Sequence, residues 1–184
     1  MDILKIAVSA LTPIAIALVG YWIQRALAEQ SRTWKLQERL ADRRVAIYEK
    51  IAEDLNRIYC YVMDVGGFKG ETPESIISAK RNVDKDMFAY QALWPPETFA
   101  LFLEYMDSAF DTYEAVGEDA KIRTNSSEKK VARQKLDQDW PAGWEDRFTG
   151  KRDPHHKERY ARLISRLSQD LMYAVGPSTK TKSS

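Results

Sequence analysis

The sequence has few of the residues that build disulfide scaffolds and metal sites. Its 184 residues include one cysteine, Cys60, and two adjacent histidines, His155 and His156. A lone thiol cannot form an internal disulfide, and no spacing of cysteine and histidine matches a zinc site, so we expect neither a disulfide-rich secreted domain nor a metal or cofactor. The net charge is only +1. The overall charge balance therefore does not indicate a chain that binds nucleic acid.

Charge is missing from one long stretch near the N-terminus. Residues 6–23, IAVSALTPIAIALVGYWI, form a run of 18 residues without a charged side chain. As a helix this run would span about 27 Å, close to the hydrocarbon thickness of a bilayer. Tyr21 and Trp22 fall where interfacial aromatic residues are expected. The sequence predicts a transmembrane anchor over residues 1–24, a helical domain over residues 25–176 and a disordered tail over residues 177–184.

A cleaved signal peptide and a buried core helix are the alternatives for this stretch. Ala26-Leu27-Ala28 has the pattern of a cleavage site, but bulky residues separate it from the apolar run. The flanking charges are strongly asymmetric, because Lys5 alone precedes the run and six basic residues soon follow it: Arg25, Arg32, Lys35, Arg39, Arg43 and Arg44. The positive-inside rule then predicts a single-pass protein of the bacterial inner membrane with its N-terminus outside and its C-terminal domain in the cytoplasm.

Glycine and proline are absent between Tyr21 and Val65, a stretch of 45 residues. Good helix formers dominate this stretch, so the anchor is predicted to continue as one long helix that ends at Gly66-Gly67. Apolar residues recur there at steps of three and four, which predicts a stripe that faces a core. The stripe comprises Leu36, Leu40, Ile47, Ile51, Leu55, Ile58, Val62 and Val65.

Turn residues divide the remainder into further helical segments, with caps at Thr72-Pro73 and Asp153-Pro154. The predicted segments are 72–94, 95–117, a weaker polar helix over 128–139, and 153–176. No stretch shows the alternation of a strand. The predicted fold class is all-α: an N-terminal transmembrane helix continuing into a long cytoplasmic helix, packed with a bundle of about four or five helices.

Small residues recur along the anchor at the spacing of a helix–helix seam. The seam comprises Ala10, Pro13, Ala17, Gly20, Leu27 and Trp34. Small residues let membrane helices approach closely, and a 3.5-residue repeat is typical of helices wound together, so we predict a homo-oligomer. Several copies around an axis could enclose a pore, and Ser9 and Thr12 are the candidate residues to line it.

The two histidines offer the one candidate for catalysis. Arg152 and His156 lie close together at the predicted start of the last helix, where an arginine and a histidine could stabilise a phosphorane and move a proton in RNA cleavage. The alternative is that Asp153 caps the helix and both histidines are exposed polar residues of its first turn. Adjacent histidines point in different directions on a helix, so they make a poor metal pair.

Three motifs on the long helix resemble those of short bacterial proteins that have one N-terminal membrane span: Trp34-Lys35-Leu36, Arg43-Arg44 and Tyr48-Glu49-Lys50. With its size and anchor position, the chain resembles the small membrane accessory proteins of RNA-targeting type VI-B CRISPR systems. The resemblance implies a divergent HEPN-like Arg/His motif and a ring-shaped membrane pore that enhances antiphage defence. Arg152 precedes His156 by three intervening residues, whereas a HEPN motif has four to six.

The predicted function is therefore an oligomeric inner-membrane accessory or effector protein that permeabilises or depolarises the membrane in CRISPR-linked antiphage defence. Its predicted partners are the lipid bilayer, further copies of itself, and an RNA-guided CRISPR nuclease or the RNA products of that nuclease. No small-molecule substrate is indicated. Two alternatives remain: a membrane-tethered helical protein-interaction module, and a divergent HEPN-like ribonuclease that uses Arg152 and His156.

Overall fold

A computed structural model of the chain describes residues 2–112 and 119–173, with the side chains of residues 2–17, 32, 33 and 173 outside the description. Five α-helices make up most of it: α1 Asp2–Met63, α2 Pro73–Ala89, α3 Pro96–Ala109, α4 Ser127–Gln134 and α5 His156–Tyr173. Two very short antiparallel strands, β1 Phe110–Asp111 and β2 Lys121–Ile122, pair with each other. The predicted all-α class is confirmed, and the strand pair is a feature that the sequence did not predict.

Helix α1 runs without interruption for 62 residues, which confirms the predicted long helix. It ends two residues earlier than expected, in a turn where Asp64 takes the left-handed conformation with φ of 58°. The amide of Val65 donates to the carbonyl of Cys60 at 3.0 Å, the six-to-one bond of a Schellman motif. An aspartate therefore occupies the position where glycine is usual.

The bundle packs around the C-terminal part of α1. Helix α2 lies against α1, and α5 lies between α3 and α1. The core includes fully buried residues from each of these helices: Ile51, Leu55, Ile58, Ile76, Val83, Phe102, Tyr105, Leu163 and Leu167. The hydroxyl of Tyr105 donates to the Leu55 carbonyl at 3.1 Å and so ties α3 to α1 inside the core.

The predicted cap of α2 is confirmed. Thr72 precedes Pro73, and the Thr72 hydroxyl accepts from the Ser75 amide at 3.1 Å. The Ser75 hydroxyl accepts in turn from the Thr72 amide at 3.0 Å, which completes a capping box. Asp153 also acts as a cap for α5, because its carboxylate accepts from the His155 amide at 2.8 Å.

Helix α3 ends well before the predicted Gly117. It stops at Ala109 because Phe110 takes an extended conformation and pairs with Ile122, which also bridges to Phe148. These pairings bury Phe110 and Ile122 fully. The predicted remainder of this helix falls on residues 113–118, outside the described residues. Helix α4 is also shorter than predicted and ends at Gln134.

Packing on α1 begins later than predicted. Among the described side chains of α1, Ala41 is the first that is buried. The prediction that Leu36 faces the core is wrong, because its side chain is 66% exposed. Packing against the bundle therefore starts at about Ala41, inside the predicted helical domain over residues 25–176.

In the part of the chain that the structure describes, no helix contains a stretch long and apolar enough to cross a membrane. Most of the predicted anchor, residues 1–17, has side chains outside that description. The predicted tail over residues 177–184 lies outside it as well.

Candidate functional site

The most conspicuous surface is the part of α1 that extends beyond the bundle, residues 18–40, which we call the projecting segment. Its apolar side chains are between 47% and 66% exposed: Leu18, Val19, Tyr21, Trp22, Ile23, Leu27, Trp34 and Leu36. Single exposed apolar residues are common on protein surfaces, but eight within 19 consecutive residues are not. Such a concentration indicates a surface that is covered by a membrane or by another chain.

The projecting segment includes half of the predicted seam. Leu27 and Trp34 are 58% and 47% exposed, and a Cβ placed at Gly20 would have no atom within 4 Å. The structure therefore leaves all three positions open to a second helix. The other seam positions, Ala10, Pro13 and Ala17, and the candidate pore residues Ser9 and Thr12 have side chains outside the described set.

Arg44 fixes the projecting segment to the bundle. Its guanidinium donates to the Leu93 carbonyl at 2.7 Å and to the Asp170 carbonyl at 3.3 Å, and it lies 5.9 Å from the centre of the Trp94 ring. These contacts join α1 to the turn after α2 and to the end of α5. Because α1 is unbroken here, the projecting segment continues the same helix that Arg44 joins to the bundle.

The second candidate site, Arg152 and His156, has a different character from that predicted. His156 is completely buried rather than exposed. Its Nδ1 lies 2.8 Å from the Ser108 hydroxyl, which donates its own proton to the Tyr105 carbonyl. Nδ1 must therefore carry the proton and donate, and Nε2 has no hydrogen-bond partner among the described residues.

Aromatic rings surround His156. The rings of Tyr59 and Tyr105 lie 6.0 and 5.2 Å from the imidazole, and Tyr160 stacks on Tyr59 at 4.2 Å. Burial in this apolar setting lowers the pKa of His156 to about 4, with only partial compensation from Asp153. The imidazole is consequently neutral at physiological pH and has no access to a large anionic substrate.

Arg152 belongs to a separate ionic cluster centred on Asp64. The Asp64 carboxylate pairs with Arg152 and also accepts from the Lys129 ammonium at 2.6 Å. Lys129 is only 2% exposed and also contacts Thr124 and the face of the Tyr61 ring. Burial lowers the pKa of Lys129, whereas its bond to Asp64 opposes that shift.

The structure therefore does not bring Arg152 and His156 together in an open site. Arg152 is engaged by Asp64, His156 is enclosed, and His155 is exposed beside Glu158. Sequence reasoning missed the Asp64–Lys129 pair because its members are 65 residues apart and a buried lysine has no local signature. Among the described residues, no group of histidine, cysteine and carboxylate side chains could hold a metal ion.

Comparisons with protein-family models, with curated proteins and with solved structures give no match for this chain.

Proposed function

We propose that this protein is a membrane-anchored effector that oligomerises through α1 and permeabilises the bacterial inner membrane in CRISPR-linked antiphage defence. The projecting segment is the observation that carries the proposal. Its exposed apolar residues continue directly into the uncharged run over residues 6–23, on the same unbroken helix. A lipid bilayer would cover the first part of this surface, and neighbouring copies would cover the rest.

The proposed orientation follows from the same helix. The bundle begins at Ala41, and the six basic residues that follow the uncharged run lie between that run and the bundle or at the edge of the bundle. The bundle is then cytoplasmic, and α1 crosses the membrane once. Pore formation and the link to CRISPR defence are supported by the resemblance described above.

Purification of the full chain in detergent, combined with dye uptake by cells that express it, tests this function. We expect particles of several copies, and entry of a membrane-impermeant dye when the defence system is triggered. A strictly monomeric particle would refute the oligomer. Particles of several copies without dye entry would retain the assembly and reject the pore.

A membrane-tethered interaction module is the alternative that the bundle itself favours, because its core is complete without the projecting segment. A chain that starts at Gln30 separates the two functions. Full biological activity of this shortened chain would favour the module, since it lacks the whole uncharged run. The ribonuclease alternative gains no support from the enclosed position of His156.

A further inference from the structure

Two stripes of opposite charge run side by side along the outer face of α1. The basic stripe comprises Lys35, Arg39, Arg43 and Lys50. The acidic stripe comprises Glu38, Asp42, Glu49 and Glu53. At 3.6 residues per turn, the mean directions of the two stripes differ by about 75° around the helix. The buried residues Ile47, Ile51 and Leu55 lie on roughly the opposite side, so the bundle covers neither stripe.

All eight side chains are exposed. In the described part of the chain, none of them makes an ion pair or a hydrogen bond. The contrast is clearest for arginine, because Arg39 and Arg43 are the only arginines with described side chains that lack such a contact. Lys35, Arg39 and Arg43 also follow one another at intervals of four residues, an arrangement of like charges that destabilises an isolated helix.

The two stripes carry opposite charge, and their residues also lie at matching heights along the helix axis. Glu38 is adjacent to Arg39 along the chain, Asp42 is adjacent to Arg43, and Glu49 is adjacent to Lys50. Each opposite pair is therefore separated by about 1.5 Å along the helix axis. Rotation about an axis parallel to α1 leaves heights unchanged, so the basic stripe of one copy would meet the acidic stripe of the next copy in register.

We infer that a second copy of this chain is the partner of both stripes, and that neighbouring copies exchange ion pairs around a closed ring. The inference rests on the proposed function, because a shared membrane keeps the copies parallel. Each copy would use its basic stripe toward one neighbour and its acidic stripe toward the other. Such a contact is heterologous, and heterologous contacts that close generate rings rather than two-fold dimers. The charges set the register of the ring, while the exposed apolar residues provide contact area.

Charge reversal of each stripe tests this interface in the full chain, with particle mass measured in detergent. One variant carries Arg39→Glu with Arg43→Glu, and the other carries Glu38→Lys with Asp42→Lys. We expect each variant alone to associate at least about tenfold more weakly than the unaltered protein, because like charges then face each other. A one-to-one mixture should restore assembly, since each variant presents the charge that the other lacks.

Lys85→Glu with Lys157→Glu is the matched control for the basic-stripe variant, because it makes the same change in net charge as Arg39→Glu with Arg43→Glu, at exposed positions of the bundle. It should assemble normally. Unaltered assembly of both stripe variants, or failure of their mixture to assemble, would overturn the inference while leaving the proposed oligomer intact. A monomeric unaltered protein would instead refute the proposed function itself.

Cross-linking provides a second measurement that does not depend on charge reversal. Copies with Arg39→Cys are mixed with copies with Asp42→Cys, both in a Cys60→Ala background, and oxidised in the membrane. The parallel ring predicts a disulfide between the two kinds of copy. The pair Arg39→Cys and Glu49→Cys, about 15 Å apart in height, should not react. Reaction of the second pair in place of the first would reject the parallel register.

Discussion

His156 is a buried base whose protonation the fold opposes. The pKa of His156 in the folded protein, about 4, lies below the ordinary value of 6.5. The unfolded chain therefore binds more protons than the folded chain between these values, so stability is lost as the pH falls through that window. Linkage gives a loss of about 2 kcal/mol between pH 7 and pH 5.

His156→Phe should remove this acid sensitivity. A phenyl ring fits among Tyr59, Tyr105 and Tyr160, and the Ser108 hydroxyl keeps its bond to the Tyr105 carbonyl. We expect the melting temperature of the unaltered protein to fall by about 5 °C more than that of the variant between pH 7 and pH 5. His155→Gln, at an exposed position, should behave like the unaltered protein. Equal shifts in all three proteins would show that His156 is not the titrating group.

Asp64 has an unfavourable left-handed backbone conformation, and its carboxylate pairs with the buried Lys129 ammonium. Asp64→Gly would relieve about 1 kcal/mol of left-handed strain but would leave Lys129 buried without its carboxylate, which costs about 3–5 kcal/mol. The variant should therefore be destabilised by about 2–4 kcal/mol in thermal or denaturant unfolding. Adding Lys129→Met should recover most of that loss, because the unpaired buried charge of Lys129 is then removed.

Asp137→Gly is the matched control for the backbone effect. Asp137 also has a positive φ, of 52°, but it is exposed. This substitution should be nearly neutral or slightly stabilising. A similar loss at both positions would mean that the strain, and not the charge of Asp64, determines the result.

At the scale of secondary structure, the sequence predicted the features that depend on neighbouring residues, such as helix caps and uninterrupted helices. The cap of α2 needs only Thr72, Pro73 and Ser75, which are neighbours in the chain. The unbroken course of α1 from Tyr21 to Met63 follows from the absence of glycine and proline there, whereas Pro13 and Gly20 lie within the helix without ending it. The end of α3 was not predictable in this way, because Phe110 leaves the helix to pair with Ile122 and that contact is not local. The enclosure of His156 likewise depends on tyrosines from three different helices.

The continuity of α1 can be tested by breaking it between the anchor and the bundle. Gln37→Pro, at an exposed position, removes one helical hydrogen bond and introduces a clash, at a local cost of about 3 kcal/mol. We expect the bundle to stay folded by near-ultraviolet circular dichroism and the protein to stay in the membrane fraction, with dye entry abolished. Gln37→Ala should keep full dye entry. Unimpaired dye entry with proline at this position would show that a rigid connection is not required.

At the scale of the whole molecule, the sequence predicted a helical bundle on a long helix, and the structure has both. The apolar stripe of α1 was predicted to be buried from Leu36 onward, but Ala41 is the first buried residue among its described side chains. Leu36 has the spacing of a core residue, yet it lies on the projecting segment and is 66% exposed. A stripe of apolar residues predicts that a helix face is covered, but it does not say whether the cover is the same chain or another copy.

The continuity of α1 also determines how far each bundle would lie from the membrane in the proposed assembly. Residues 24–41 form a stalk of about 25 Å between the predicted membrane surface and the first buried residue, Ala41. In a ring of such copies, the stalks would hold the bundles away from the lipid surface. Ions leaving the channel would then pass sideways through openings between the stalks. The paired stripes start at Lys35 and would close the gap between neighbouring stalks from there on, so the openings would be confined to residues 24–34, next to the membrane.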